Sequence, residues 1–376
     1  MGILFDLGVA VQRQTLRGLD VVRLVLEPSP GRPSVEEVVA ALRTRASVRA
    51  APNHVLRVAS HVLMLGATQV QPAPALGPLP TGTGLPGAGV TIGVVDTGIF
   101  PDQWFDDRVD FRDPEDVEFP PDNQKDVLPF FTGHGTFVTG IILQHAPGAQ
   151  VVVRRVVDSH GDVSDATLAE ALADMAGVDI INLSMGSQAL DHDDAVGLLA
   201  TANSLFKLWE SHPELVVVAP AGNVVGPAGN DGAPAGNGRT SVDVWPGKFD
   251  PVVAVAALNQ AGTAPASFSN FGDWVDVCSI GENLRSRFLH WTGEVEAPPL
   301  DKHGRGKRVS PEGPFTGWAT WSGTSFATAR VSAAIAAAIN PAGGVDGPAA
   351  VRQLAAGPAP HAGCGAVVTP PGPAQP

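Results

Sequence analysis

The chain of 376 residues contains no tyrosine, only two cysteines and no apolar run long enough to cross a membrane. Cys278 and Cys364 are too few for a disulfide framework or a cysteine metal site. Charged residues make up only 16% of the chain and leave a formal net charge of −14, the wrong sign for a dedicated nucleic-acid binder. These absences favour a globular protein that binds neither nucleic acid nor membrane.

The N-terminal residues 1–65 differ from the rest in charge and pattern. They carry eight arginines against five acidic residues, whereas the remaining chain is strongly acidic. Val21–Glu27 alternates like a half-buried strand, and Ser34 and Glu37 have the spacing of a capping box ahead of an amphipathic helix. We therefore expect a small α+β domain here, and its opposite charge favours association with the acidic remainder.

The sequence pattern of the remaining chain predicts a linker, a large domain and a tail. Residues 66–89 are rich in Pro, Gly and Thr and lack hydrophobic periodicity, which is typical of a linker. From residue 90 to 365, short Val/Ile-rich runs alternate with helical patterns. This order predicts an α/β fold, a mostly parallel central sheet with helices on both faces. Residues 366–376 are predicted to be a disordered tail.

Three short segments carry reactive side chains. Gly93–Gly98 ends an apolar strand with Asp96, Gly133–Thr136 puts His134 at the start of an apolar helix, and Ser322–Ala327 puts Ser325 at the start of an Ala-rich helix. Each has an ordinary alternative, since an Asp forms turns, a His packs in cores and a Ser caps helices. Together, an acid, an imidazole and a hydroxyl predict nucleophilic catalysis.

In this order the three segments resemble those of the subtilisin-like serine proteases, over residues 90 to 365. Further stretches are similar to the same family: Ile180–Gly186, Pro220–Asn223 and Ala266–Gly272. The resemblance implies a serine endopeptidase with a subtilisin-like fold and a polypeptide substrate. No cofactor is implied, although calcium is conceivable.

The resemblance also implies a role for each matched residue. Ser325 would be the nucleophile, His134 the general base and Asp96 the group that orients it. The Asn223 amide and the Ser325 backbone N–H would bind the oxyanion. The walls of the first specificity pocket would be Ser184, Met185 and Gly186 on one side and Pro220, Ala221 and Gly222 on the other.

Residues 1–65 are similar to the inhibitory propeptide that precedes such enzymes, and an unrelated accessory domain is the alternative. On the propeptide interpretation the chain is its own partner, and we expect self-cleavage within His61–Gly89. The opening residues lack the basic flank of an export signal, which favours a cytoplasmic location over secretion by a less obvious route.

Four residues depart from the family pattern: Phe137 stands where His is usual, Phe326 where Met is usual, and Ala329 and Arg330 where Pro-His is usual. None of them removes a proposed catalytic atom, so they bear on specificity and activity. A non-hydrolysing peptide-binding pseudoprotease and a protease dedicated to maturing one precursor remain alternatives.

The stretch Asp102–Asp126 holds ten acidic residues against three basic ones. It matches no known cation-binding loop, so we interpret it as a solvated acidic loop rather than a calcium site.

Overall fold

The structure is a computed structural model that describes residues 9–27, 33–46, 49–58, 69–111, 113–118, 127–158, 160–187, 199–223, 241–297 and 306–372. The chain divides into two compact units. The first comprises Met1–Val55, Ser164–Ala176 and Ala189–Pro213, and the second comprises Leu56–Val163, Gly177–Gln188 and Glu214–Pro376. Two segments of the first unit therefore come from within the range 90–365.

The described α-helices are α1 (Val35–Ala46), α2 (His134–His145), α3 (Asp165–Ala173), α4 (Leu199–Ser211), α5 (Thr324–Ala338) and α6 (Gly347–Ala355). None of these described helices is long and apolar enough to cross a membrane. The described strands are β1 (Val11–Thr15), β2 (Val22–Leu26), β3 (Val55–Val58), β4 (Gln71–Pro72), β5 (Thr91–Asp96), β6 (Val109–Asp110), β7 (Gln150–Arg155), β8 (Asp162–Ser164), β9 (Ile180–Asn182), β10 (Met185–Gly186), β11 (Val216–Pro220), β12 (Val252–Leu258), β13 (Val277–Ile280), β14 (Leu284–Trp291), β15 (Val295–Ala297), β16 (Lys307–Val309), β17 (Phe315–Trp321) and β18 (Ala366–Val367).

The first unit contains the antiparallel hairpin β1–β2 together with α1, α3 and α4. The predicted capping box of α1 is confirmed, because the Ser34 backbone N–H donates to Glu37 Oε2 at 2.7 Å and the Glu37 N–H donates to Ser34 Oγ at 3.2 Å. These two bonds satisfy backbone donors that the first turn of a helix leaves free. Leu16 and Leu19 pack against alanines of α3 and α4 in a small apolar cluster.

The second unit is built on an eight-stranded sheet with the order β18-β13-β12-β11-β9-β5-β7-β6. Every pair of neighbouring strands in it is parallel. Its inner strands are continuous Val, Ile and Ala runs, and all seven residues of β12 are buried, as expected for strands covered on both faces. The prediction of a mostly parallel α/β sheet is confirmed.

The topology brings the carboxyl ends of three neighbouring strands to one edge of this sheet. β5 ends at Asp96, β9 runs into Ser184, and β11 runs into Asn223. Helices α2 and α5 pack against each other and against strands of the sheet. Because reactive groups of parallel α/β folds collect at this edge, the fold fixes where the site can form.

Paired strands lie in the predicted tail and in the predicted linker. The prediction of a disordered tail over 366–376 is wrong for its described part, because β18 pairs with β13 and Val368 is buried. The pairing is possible because Ala366 and Val367 are apolar residues that continue a sheet edge. Within the predicted linker 66–89, β4 pairs with β17. The predicted boundary after residue 65 lies outside the described residues.

Candidate active site

Asp96 is the last residue of β5 and is fully buried. Its Oδ1 accepts a hydrogen bond from the Thr97 backbone N–H at 2.7 Å. The following Gly98 has a φ of +100°, which glycine adopts without strain. A Cβ at Gly135 would lie only 2.3 Å from the Gly98 carbonyl, so glycine at position 135 lets α2 approach the Asp96 turn.

His134 opens α2 with its side chain 2% exposed. Its Nδ1 lies 2.8 Å from Asp96 Oδ1 and 3.0 Å from Oδ2. A carboxylate only accepts, so Nδ1 carries the hydrogen and donates it. Nε2 of the neutral ring is then an acceptor, which is the protonation state that a general base requires.

Ser325 lies in the first turn of α5 and is buried. Its Oγ donates to the Ser184 carbonyl at 3.2 Å. No hydrogen bond joins Ser325 to His134 in the described structure. Both residues nevertheless line one small recess, and Asn223 lines it too. The acid, imidazole and hydroxyl that the sequence singled out therefore share one site, with the hydroxyl oriented towards Ser184.

Asn223 follows β11 and is 2% exposed. Its side-chain Oδ1 accepts two hydrogen bonds from Thr324, one from the backbone N–H and one from Oγ1, both at 2.9 Å. Because these bonds use the amide oxygen, they orient the amide and leave its NH₂ group to serve another acceptor. Asn223 thus contributes a donor to the recess that holds Ser325.

The six predicted pocket residues lie near this recess but do not line it. Ser184 contacts Ser325 directly, and Met185 and Gly186 form β10. Pro220 ends β11, and the carbonyls of Ala221 and Gly222 accept hydrogen bonds from Asn270.

β10 already has a partner strand from earlier in the chain. β3 runs antiparallel to it, with Arg57 opposite Gly186 and Val58 opposite Met185. The Leu56 side chain is fully buried. A short segment of the chain itself therefore pairs with the strand at which the resemblance expects a substrate.

Sequence reasoning did not assign the aromatic walls of the recess. Phe130, Phe131, Trp321 and Phe326 line it together with His134. The ring centroids of Phe326 and Trp321 lie 5.3 and 5.6 Å from that of His134. Two adjacent phenylalanines just before Gly133-His134-Gly135 were the available signal. These rings exclude water from the imidazole, which strengthens electrostatic interactions there.

Two of the departures from the family pattern pack together. The Phe137 and Phe326 ring centroids lie 4.6 Å apart, and both rings pack on Trp321. Each substitution thus accommodates the other in one aromatic cluster.

Within the described part of the chain, Arg330 bonds to His145 and to Ser279 and has no acidic partner. Its Nη1 donates to His145 Nε2 at 2.8 Å, while His145 Nδ1 donates to the Pro371 carbonyl at 2.7 Å. Burial, and then the Arg330 charge, lower the pKa of His145 to about 4. Arg330 therefore bonds to a histidine that holds the Pro371 carbonyl, and it does not line the recess.

The acidic stretch Asp102–Asp126 is not uniformly solvated, and the prediction of a solvated loop is wrong for two of its members. Asp116 and Glu118 are buried, Asp116 because it pairs with Arg154 Nη1 at 2.6 Å and accepts from the Arg155 N–H at 2.9 Å. Residues 119–126 lie outside the described residues. Within the described residues, no cluster of three or more His, Cys, Asp or Glu side chains could hold a metal ion.

The chain matches the model of a known protein family. The family model of the Subtilase family matches residues 87–363. The chain is 29% identical over 229 residues to the Thermophilic serine proteinase of Bacillus sp. (strain AK1), a match covering 56% of this chain and 50% of that protein. It is 28% identical over 266 residues to Subtilisin Savinase of Lederbergia lenta, covering 67% and 77%.

The chain is also similar to a further protease and to a solved structure. Serine protease AprX of Bacillus subtilis (strain 168) is 27% identical over 296 residues, a match covering 69% of this chain and 58% of that protein. Among solved structures, that of Prenylagaramide maturation protease PagA matches 74% of this chain and 90% of its own, with 22% identity and a TM-score of 0.49. The chain therefore spans only about half the length of some of its curated relatives.

Proposed function

The chain belongs to the subtilase family, and from that premise we propose that it is a serine endopeptidase. The observation that carries the proposal is the 2.8 Å contact between His134 Nδ1 and Asp96 Oδ1 at a recess that Ser325 also lines. A buried imidazole held by a carboxylate beside a serine is the arrangement that activates a hydroxyl.

In the proposed reaction, Ser325 Oγ attacks the carbonyl carbon of a peptide bond. His134 Nε2 takes the hydroxyl proton and then gives it to the leaving amine, and the acyl-enzyme is released when water repeats the sequence. Asp96 accepts from Nδ1 throughout and stabilises the imidazolium. To begin, Ser325 Oγ must exchange its bond to the Ser184 carbonyl for one to His134.

The tetrahedral intermediate needs donors for its negative oxygen. We assign this role to the NH₂ of Asn223, which Thr324 orients, and to the backbone N–H of Ser325. Ser325 lies in the first turn of α5, where backbone N–H groups have no partner within the helix. The positive end of the helix dipole adds to the same stabilisation.

We further propose that the N-terminal segment acts as an inhibitor in the manner of a propeptide. The support is the pairing of β3 with β10, which is how an extended peptide adds to a strand edge. A chain bound in this way keeps external substrates from the same edge until it is cut and released.

We expect the cut that releases this segment to lie within His61–Gly89. The Pro, Gly and Thr content of residues 66–89 is typical of an accessible linker.

A fluorophosphonate probe, which reacts with activated serines, tests the proposal. We expect it to label Ser325 in the processed chain and to leave Ser325→Ala unlabelled, with the surface variant Ser211→Ala as a matched control. Ser325→Ala should also accumulate uncut. The second candidate, a non-hydrolysing peptide-binding protein, is favoured by the orientation of Ser325 Oγ towards Ser184. An unlabelled wild type that still binds peptides would support that candidate.

A further inference from the structure

Glu118 is a buried carboxyl group between the two turns that carry Asp96 and His134. Glu118 is only 3% exposed. Its Oε2 accepts a hydrogen bond from the Gly133 backbone N–H at 3.0 Å and another from Thr97 Oγ1 at 3.2 Å. Gly133 directly precedes His134, and Thr97 directly follows Asp96, so a single oxygen atom joins both turns.

The same connection continues through Thr97. While its hydroxyl donates to Glu118, its oxygen accepts from the Gly135 backbone N–H at 3.0 Å. The N–H groups on either side of His134 are therefore both held, one by Glu118 and the other by Thr97. These are N–H groups of a helix start, which have no partners within the helix.

Glu118 is itself held in place by the backbone. Its N–H donates to the Ile99 carbonyl at 2.9 Å, and the Ile99 N–H donates to the Asp116 carbonyl at 3.1 Å. These two backbone hydrogen bonds hold Glu118 next to the turn after β5, independently of the hydrogen bonds that its side chain makes.

We propose that Glu118 is a positioning residue that sets the distance and orientation between Asp96 and His134. It contacts no reacting atom, and it acts by tying the turn after Asp96 to the turn before His134. The inference rests on the proposed function, since it assigns Glu118 to the same site.

The protonation state of Glu118 follows from its surroundings. Burial, opposed by the Gly133 and Thr97 bonds, raises the pKa of Glu118 to about 8, and the Asp96 charge adds to the increase. The charged groups that face Glu118 are Asp96 on β5 and Arg155 on β7. The Arg155 charge lowers the pKa of Glu118 slightly. His134 on α2 directly follows Gly133, whose backbone N–H donates to Glu118. At neutral pH the carboxyl is protonated, so it bonds both turns without placing a second negative charge beside Asp96. Above about pH 8 that charge appears and repels Asp96.

The experiment compares Glu118→Gln, which keeps the acceptor oxygen but cannot ionise, with Glu118→Ala, which removes it. Glu115→Gln is the control, because Glu115 is an exposed acid of the same segment. Proton NMR follows the His134 Nδ1–H resonance from pH 6 to 10, and this readout does not need catalytic activity. Peptidase kinetics follow kcat and KM separately.

We expect the wild type and Glu115→Gln to show a change in the His134 resonance centred near pH 8, which Glu118→Gln lacks. At pH 7, Glu118→Gln should keep the wild-type resonance and kcat within about threefold. Glu118→Ala should shift the resonance and lower kcat by about tenfold or more, with little change in KM. If the change near pH 8 persists in Glu118→Gln, the inference is overturned, whether or not Glu118→Ala folds. If the resonances behave as expected but no variant or wild type cleaves peptides, the proposed function fails and the positioning role stands.

Discussion

The Ser325 hydroxyl donates its hydrogen bond to the Ser184 carbonyl, 3.2 Å away, and not to the imidazole of His134. Ser184 directly precedes β10, the strand that pairs with β3. The same carbonyl can accept from the backbone N–H of a peptide that extends this antiparallel pairing. A bound substrate would then compete with Ser325 for that carbonyl and free the hydroxyl for His134.

Asp96→Asn should lower kcat by about 10⁴-fold with little effect on folding. The asparagine can offer its NH₂ to Nδ1, which favours the tautomer whose Nε2 carries the hydrogen and cannot act as a base. The measurement is kcat on a chromogenic peptide, with thermal unfolding to verify the fold. A variant retaining a tenth of wild-type kcat would argue against the assigned role of Asp96.

Asn223→Ala should lower kcat by about 10² to 10³-fold while KM changes little, because the lost donor acts mainly on the transition state. Thr324 would lose its acceptor as well, so Asn223→Asp, which keeps the acceptor oxygen and replaces the NH₂ with a second oxygen, is the informative companion. We expect both variants to be slow. Full activity in Asn223→Asp would rule out the donor role.

Leu56→Asp should weaken the pairing of β3 with β10, because it places a charge where a side chain is fully buried. We expect the uncut full chain to react with the fluorophosphonate probe about tenfold faster or more than the wild type. Val55→Asp is the matched control, since Val55 is 56% exposed. Equal labelling rates in the uncut wild type and Leu56→Asp would contradict the inhibitory role of this segment.

His145 should make the fold acid-sensitive. Its pKa lies at about 4 in the folded chain, below the ordinary value of 6.5, so the unfolded chain takes up the proton first as the pH falls. Stability contributed by the neutral imidazole is fully present above pH 6.5 and is lost as the pH falls towards 4, by up to about 1.4 kcal/mol per pH unit.

The variant His145→Gln tests this prediction. Glutamine can still bond to Arg330 or to the Pro371 carbonyl but does not titrate, so its melting temperature should fall less between pH 6.5 and 4.5 than that of the wild type. The exposed His290→Gln should behave like the wild type. An equal decrease in melting temperature for the wild type and His145→Gln between pH 6.5 and 4.5 would refute the prediction.

The sequence predicted the parts of the site that local patterns encode. An acid at the end of an apolar strand, a histidine between glycines and a serine at a helix start are each visible within six residues. The parallel sheet was equally predictable, because buried strands read as continuous apolar runs. The contact between Asp96 and His134 was expected from the resemblance to the family, in which these two segments occur in the same order.

Glu118 was not predictable in this way. Its partners Thr97 and Gly133 lie 21 and 15 residues away, and its own surroundings read as an exposed acidic cluster. The pairing of Ile99 with Val117 places the following residue, Glu118, beside the turn after β5. Arg330 is similar, because its partner His145 lies 185 residues away and no local pattern links a cation to a neutral imidazole.

The order of the site residues along the chain determines when the proposed site can form. Asp96 and His134 are 38 residues apart, whereas Ser325 comes 141 residues after the Ser184 carbonyl that it contacts. During synthesis on the ribosome the proposed general base is therefore made long before the proposed nucleophile, and such long-range contacts form slowly. On the proposed function, a nascent chain still lacking α5 carries no Ser325 and so has no nucleophile with which to cut itself or other proteins emerging nearby.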